Sequence, residues 1–95
     1  MSDVRLDKWL WAARLFKTRA LARAAVVGGK VDLNGHRAKP AKTLEPGDRL
    51  RVQRGQDVFV LTVRDISDRR GPASVAQQLY EEDPDSIAQR EALAA

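Results

Sequence analysis

Large apolar side chains recur at helical spacing through the first third of the chain, and then the pattern changes to alternation. At 100° per residue Leu6, Trp9, Leu10, Ala13 and Phe16 fall on one stripe, which predicts an amphipathic helix over residues 7–16. Trp11 and Leu15 form a second, narrower stripe, with Lys8 and Arg14 between the two on opposite sides. Lys17-Thr18 interrupts the pattern. Thr18 suits the N-cap of a second, alanine-rich helix over 19–27, and Gly28-Gly29 is its stop signal. Ala20, Ala24 and Val27 share one face of that helix, with Ala20 and Ala24 expected in the core; Arg19 and Arg23, four apart, share another.

From Val31 the period is two. Val31-Asp32-Leu33 reads as a short strand, and Asn34-Gly35 as a hairpin turn, because both residue types tolerate positive φ. The return strand around 37–39 is cut by Pro40, which has no N–H for a ladder. Residues 45–48 turn. In the strand over 49–53, Leu50 and Val52 point inward and Arg49, Arg51 and Gln53 outward. The strand over 58–66 is apolar on both faces, with Phe59, Leu61 and Val63 opposite Val58 and Val60, so it needs a cover on each side.

Beyond Ile66 a polar connector leads to Pro72, which suits a first helical turn. Residues 74–80 are expected to be helical, residues 81–85 an acidic break, and residues 86–95 a weakly held helix with only Ile87 and Leu93 large and apolar. Together these elements predict an α+β fold: a helix pair packed on a small, mostly antiparallel sheet, followed by a C-terminal helical extension. The expected division is a binding domain over 1–66 and the extension over 67–95. Leu6, Leu10, Ala20, Ala24, Leu33, Leu50 and Val52 are the expected core.

Charge changes the picture from fold to function. Residues 1–54 hold 13 Lys or Arg against 5 acids, a net +8, and residues 55–95 hold 4 against 8, a net −4. A half-chain that basic attracts a polyanion, most commonly nucleic acid. Lys17, Arg19, Arg23 and Lys30 surround the second helix, and no acid on that helix offsets them. The chain has no cysteine, so disulfides, thiolate metal sites and a Cys nucleophile are excluded. It has no glycine-rich phosphate loop and no Ser placed with a base, so an enzyme is not expected. His36 lies in a turn without neighbouring ligand types; neither a metal nor another cofactor is expected. No apolar run reaches the length of a membrane helix and no signal-peptide core opens the chain, so a cytoplasmic, monomeric protein without membrane contact is expected.

An ordered series of short motifs sharpens this reading. Arg5-Leu6-Asp7-Lys8-Trp9-Leu10, Lys17-Thr18-Arg19-Ala20-Leu21-Ala22, Gly29-Lys30-Val31, Asn34-Gly35, Lys39-Pro40 and Pro46-Gly47-Asp48 resemble, in this order, the RNA-binding domain named after ribosomal small-subunit protein four, the S-four domain. The resemblance spans residues 3–54. The segment over 5–14, with Gly71-Pro72-Ala73-Ser74 and Leu79-Tyr80-Glu81-Glu82, is most similar to its ribosome-associated heat shock protein fifteen subfamily. That resemblance implies binding to ribosomal RNA of the large subunit and rescue of subunits stalled with a nascent chain after heat stress. It also implies an RNA face of Arg5, Lys8, Lys17, Thr18, Arg19, Arg23 and Lys30, edged by Asn34, Lys39 and Lys42. Asp7 is expected to cap the first helix or pair with a base. Members of that subfamily continue into a longer basic tail, whereas Ala95 is reached through an acidic stretch, so weaker binding is expected.

Two alternatives stand beside RNA binding: a DNA-binding module, since a helix-turn-helix also pairs two short helices, and a subunit delivering RNA to a separate enzyme. Trp11 has two readings as well. It either packs under Leu79 and Tyr80 or lies exposed to stack on a base.

Overall fold

The computed structural model describes residues 3–94, arranged as two N-terminal helices, a five-stranded antiparallel sheet and a C-terminal helix. Helix α1 (Leu6–Ala12) and helix α2 (Arg19–Val27) pack together and onto the sheet. Strands β1 (Val31–Leu33), β2 (His36–Arg37), β3 (Arg49–Arg54), β4 (Asp57–Val63) and β5 (Tyr80–Glu82) lie in the order β2-β1-β3-β4-β5. This is the α+β arrangement expected from the pattern. Asn34 and Gly35 close the β1–β2 hairpin, both at positive φ (51° and 81°). Leu50, Val52, Phe59, Leu61 and Val63 alternate inward along β3 and β4 and meet Leu6, Trp9, Leu10 and Val26 in one core.

Both helices of the pair end in the same way. The amide of Lys30 bonds to the Ala25 carbonyl (2.9 Å) and that of Gly29 to Val26 (3.1 Å); the amide of Leu15 bonds to Leu10 and that of Arg14 to Trp11, both at 3.1 Å. These are Schellman closures, which place one residue in the left-handed region. In α2 it is Gly29 (φ 76°), as the double glycine signals; in α1 it is Arg14 (φ 61°). The first helix therefore stops at Ala12 rather than Phe16, although Leu15 and Phe16 remain buried.

The inward face of α2 differs from the expected one. Ala22, Ala25 and Val26 are buried, whereas Ala20, Ala24 and Val27 are exposed. The two small-residue stripes are equally apolar. Ala20, Ala24 and Val27 adjoin Arg19 and Arg23 around the helix, and the two guanidinium groups require solvent on that side.

The C-terminal third joins the sheet. Residues 74–80 are not one helix: α3 (Ala73–Ala76) passes into a 3₁₀ turn (Gln77–Leu79) and then into β5, where an acidic break was expected. A three-residue polar strand carries no periodic signal; the open edge of β4 selects it. Helix α4 (Pro84–Ala94) is more firmly held than its composition suggests. Beyond the end of β5 the ladder on β4 continues through side chain and turn. The Ser86 hydroxyl accepts from the Val60 amide (3.0 Å) and lies 3.2 Å from the Val58 carbonyl, and Asp83 N–H donates to Val60 O (2.8 Å). Val58 and Val60 are half-buried as a result. Ala95, the last residue of the expected helix, lies outside the described residues.

The tryptophans exchange the expected partner. Trp9 is fully buried, donates its indole N–H to Asp65 O (3.0 Å) and meets Tyr80 edge to face at 6.3 Å. Trp11 is half-buried, with the Arg70 guanidinium over its ring at 5.8 Å rather than Tyr80 above it.

Candidate nucleic-acid interface

Thr18 N-caps α2, its hydroxyl accepting from Leu21 N–H at 3.1 Å. The cap fixes where the helix begins and hence that Arg19 and Arg23 rise from one exposed face. Small neighbours, Ala20 and Ala24, leave that face low and open to close approach.

Arg19 is held by its guanidinium. Asp7, buried on α1, receives the Arg5 guanidinium on both oxygens (3.1 Å each), and Arg19 Nη2 lies 3.6 Å from Oδ1. Asp7 thus pairs with bases and does not cap: Arg5 occupies the N-cap without a side-chain bond. The β2–β3 loop folds against the same point, since Leu6 and Asp7 donate their amides to the carbonyls of Lys42 (2.8 Å) and Pro40 (3.2 Å). Arg5 also bridges to Thr43. Arg5, Arg19, Lys39 and Lys42 are thereby gathered around the start of α1.

The other candidates are dispersed. Lys8 reaches Asp68 of the connector at 3.9 Å. Lys17 opens onto a groove with Arg14, Leu15, Phe16, Leu21 and Arg54. Lys30 stands at the foot of α2, where its carbonyl accepts from Gln53 N–H. Asn34 is a hairpin clasp: its amide donates to Asp48 (3.1 Å) and accepts from Arg49 N–H (2.9 Å). The Thr18 and Asn34 side chains are thus occupied in holding the backbone.

Three arginines that the pattern did not single out shape the surface. Arg37 donates to Val27 O at the end of α2 (2.6 Å) and lies against Gly29, where a Cβ would meet its guanidinium at 3.5 Å. Arg54 donates to Leu15 O (2.7 Å). Arg70 donates to Trp11 O and Phe16 O (2.5 and 3.0 Å). The carbonyls at the α1–α2 turn are thus closed by arginines from β3 and the connector. Nothing in local spacing announces such long-range bonds.

The charge asymmetry resolves into geometry. Acids of the C-terminal half neutralise three arginines beside β5: Arg49 pairs with Asp83 (2.6 Å), Arg64 with Glu81 and Arg90 with Glu82 (2.5 Å). By contrast, the side chains of Lys17, Arg23, Lys30, Lys39 and Lys42 are exposed and bond to no other described residue. Unpaired cations therefore gather on the helix pair and the β2–β3 loop, while Arg51 on the outer face of β3 and Arg69 in the connector are also exposed without an acid partner among the described residues. Away from these cations, burial lifts the Tyr80 phenol above its ordinary range, Glu82 adds to this, and Arg90 and Arg54 oppose it. Among the described residues no cluster of His, Asp or Glu could hold a metal ion, and no helix is long and apolar enough to cross a membrane.

Comparison with known proteins agrees with this architecture. The S4 domain matches residues 4–50, from before α1 to the first residues of β3. Over 92 residues the chain is 51% identical to heat shock protein 15 of Escherichia coli K12, covering 97% of this chain and 69% of that one. Over 65 residues it is 38% identical to the RQC P-site tRNA stabilizing factor of Bacillus subtilis, covering 68% of this chain and 76% of that one. The trimeric structure of Vibrio cholerae heat shock protein 15 matches with a TM-score of 0.90 at 54% identity, over 96% of this chain and 92% of that chain. With its S4 domain and these relatives, the chain belongs to the heat shock protein 15 family.

Proposed function

We propose that this chain binds structured RNA without chemically altering it, that the RNA is ribosomal RNA of the large subunit, and that binding serves rescue of stalled ribosomes under heat stress. The observation that carries the reading is a gathering of unpaired cations: Lys17, Arg23, Lys30, Lys39 and Lys42 are exposed and unneutralised on the helix pair and the segments that follow it, while Arg49, Arg64 and Arg90 beside β5 are paired with acids. A-form RNA hides its base edges in a narrow major groove, so a helix pair with a basic outer face reads backbone shape more than sequence. Residues 1–66 act as the binding domain, and residues 67–95 brace it. The name of the Escherichia coli relative supports a stress role, and that of the Bacillus relative adds a tRNA at the ribosomal P site as a second RNA within reach.

Sedimentation of cell extract at low and high salt tests the reading. Phosphate-based binding predicts co-sedimentation with the large subunit at low salt and release as salt rises. Recovery only in free fractions at low salt, heat-stressed cells included, sinks it. Crosslinks mapped to ribosomal RNA or to tRNA separate the two RNA partners.

A further inference from the structure

Beside the helix pair, the β1–β2 hairpin and the loop after it enclose an apolar hollow that phosphate binding does not require. Leu33, Ala38 and Ala41 line it together with His36, Lys39 and Lys42. Leu33 is buried, Ala38 half-buried and the others exposed, so the hollow has an apolar floor and a basic mouth. Asn34 and Arg37 also border it, but their side chains already bond Asp48 and Val27. No acid lines it. The loop is braced at three points: Lys42 N–H bonds Lys39 O (3.0 Å), and Leu6 and Asp7 hold the Lys42 and Pro40 carbonyls. The hollow is therefore preformed. A second groove, lined by Val26, Val27 and Pro40, shares Arg37, Ala38 and Lys39 with it and leads to the exposed face of α2.

We infer that this hollow receives one unpaired nucleotide of the bound RNA. The base lies against Leu33, Ala38 and Ala41, with the His36 ring as a stacking surface, and its phosphates meet Lys39 and Lys42. The inference rests on the RNA reading above and deepens it, from shape-reading of a duplex to recognition of a stem interrupted by an unpaired residue. An unpaired nucleotide is the part of structured RNA whose base faces are free to leave the stack. It is also amphiphilic, planar and weakly polar at one end and anionic at the other, which matches an apolar floor beneath two unpartnered ammonium groups. The continuity of the hollow with the α2 face favours RNA over an acidic peptide, because one strand can occupy both.

The test uses the full chain and two RNA hairpins with the same stem, one fully paired and one carrying a single unpaired nucleotide, with affinities read by fluorescence anisotropy. The wild-type chain is expected to prefer the interrupted stem by about tenfold, the scale of one base stacked on a protein surface. Ala41→Leu, which fills the hollow, is expected to erase that preference and leave the paired stem bound as before. Lys42→Ala, at the exposed mouth, is expected to reduce the preference severalfold and serves as the deciding variant if Ala41→Leu fails to fold. Equal affinity of the wild-type chain for both stems, or a preference retained in both variants, overturns the inference. If Ala41→Leu keeps the RNA preference but loses binding of an acidic amphipathic peptide, the hollow belongs to the peptide and the inference also fails. Lys17→Ala/Arg23→Ala is the separate check on the underlying reading: it weakens both stems together, and unchanged binding of both would overturn the RNA face itself.

Discussion

Asp7 joins the two helices of the basic face: its carboxylate lies 3.6 Å from Arg19 of α2 while Arg5 holds both of its oxygens. A buried acid inside a surface meant for a polyanion is a counterintuitive choice on charge alone. Its value is positional, because it holds two guanidinium groups that would otherwise sample many rotamers. Asp7→Asn adds a unit of positive charge, so simple attraction predicts tighter RNA binding. Positioning predicts the reverse. The expected outcome is weaker RNA binding together with a stability loss of about 1–3 kcal/mol, the scale of charge-assisted hydrogen bonds. Tighter binding in Asp7→Asn would show that Arg5 and Arg19 need no such anchor.

Free and paired cations should differ in salt dependence. Each phosphate contact contributes a slope of about 0.7–0.9 in log affinity against log salt. Lys17→Ala/Arg23→Ala should therefore flatten the slope by about 1 to 2 units and weaken binding to all structured RNAs alike. Arg64→Ala removes a cation already paired with Glu81 and should leave both affinity and slope near wild type. Equal slopes for the two variants would mean that net charge, not this face, governs binding.

Legibility from sequence followed the range of the interaction. The Thr18 cap, the Gly28-Gly29 stop, the Asn34-Gly35 turn and the alternation of β3 are local, and each lies where its residues indicate. The stripe containing Leu6, Trp9 and Leu10 was equally plain. The burial of Ala22, Ala25 and Val26 in place of Ala20, Ala24 and Val27 required knowing which alanine stripe loses to its arginine neighbours. Strand β5 was invisible because its pairing with β4 depends on an edge that exists only in the folded protein. For the proposed interface, residue types and order pointed to the segment that the S4 domain matches, residues 4–50. Sequence could not distinguish Lys39 and Lys42, which stay free, from Thr18 and Asn34, whose side chains hold the backbone. Arg37, Arg54 and Arg70 were missed because their partners are carbonyls 10, 39 and 54 or more residues away.

Ser86 offers a sharp test of how the C-terminal helix is attached. Its hydroxyl is the partner of the Val60 amide on β4, where β5 no longer runs. Ser86→Ala removes that acceptor in a buried setting and should destabilise the chain by about 1–3 kcal/mol. Hydrogen exchange at the Val60 amide should accelerate more than at Val52, which is paired on the interior ladder. Unchanged exchange at Val60 would place the attachment of α4 elsewhere, on Arg90 and Glu82.

Arg14 holds a left-handed backbone that costs a non-glycine residue about 1–2 kcal/mol. Its side chain compensates by donating to Gly71 O at 2.7 Å, tying the helix end to the connector. Arg14→Gly relieves the backbone and loses that bond, so its unfolding free energy should lie within about 1 kcal/mol of wild type. Arg14→Ile loses the bond and adds a β-branched side chain in the disfavoured region, so it should be the less stable by more than that. If chemical denaturation ranks the two variants equally, the Schellman closure of α1 does not constrain this residue.

Tyr80 makes the alkaline limit of stability specific. Its phenol is held above the ordinary range chiefly by burial and secondarily by Glu82, against the opposing pull of Arg90 and Arg54. A raised folded-state pKa means that the unfolded chain releases the proton first. The stabilising contribution is therefore complete below the unfolded value, about 10, and is lost as pH rises from there through the higher folded value. Tyr80→Phe removes this titration while keeping a ring against Trp9. Unfolding midpoints measured between about pH 8 and 11 should fall for the wild-type chain above the phenol's ordinary range and fall less for Tyr80→Phe. Parallel curves for the two proteins would assign the alkaline loss to the lysines, whose ordinary range begins close by, and would exclude a burial-shifted phenol.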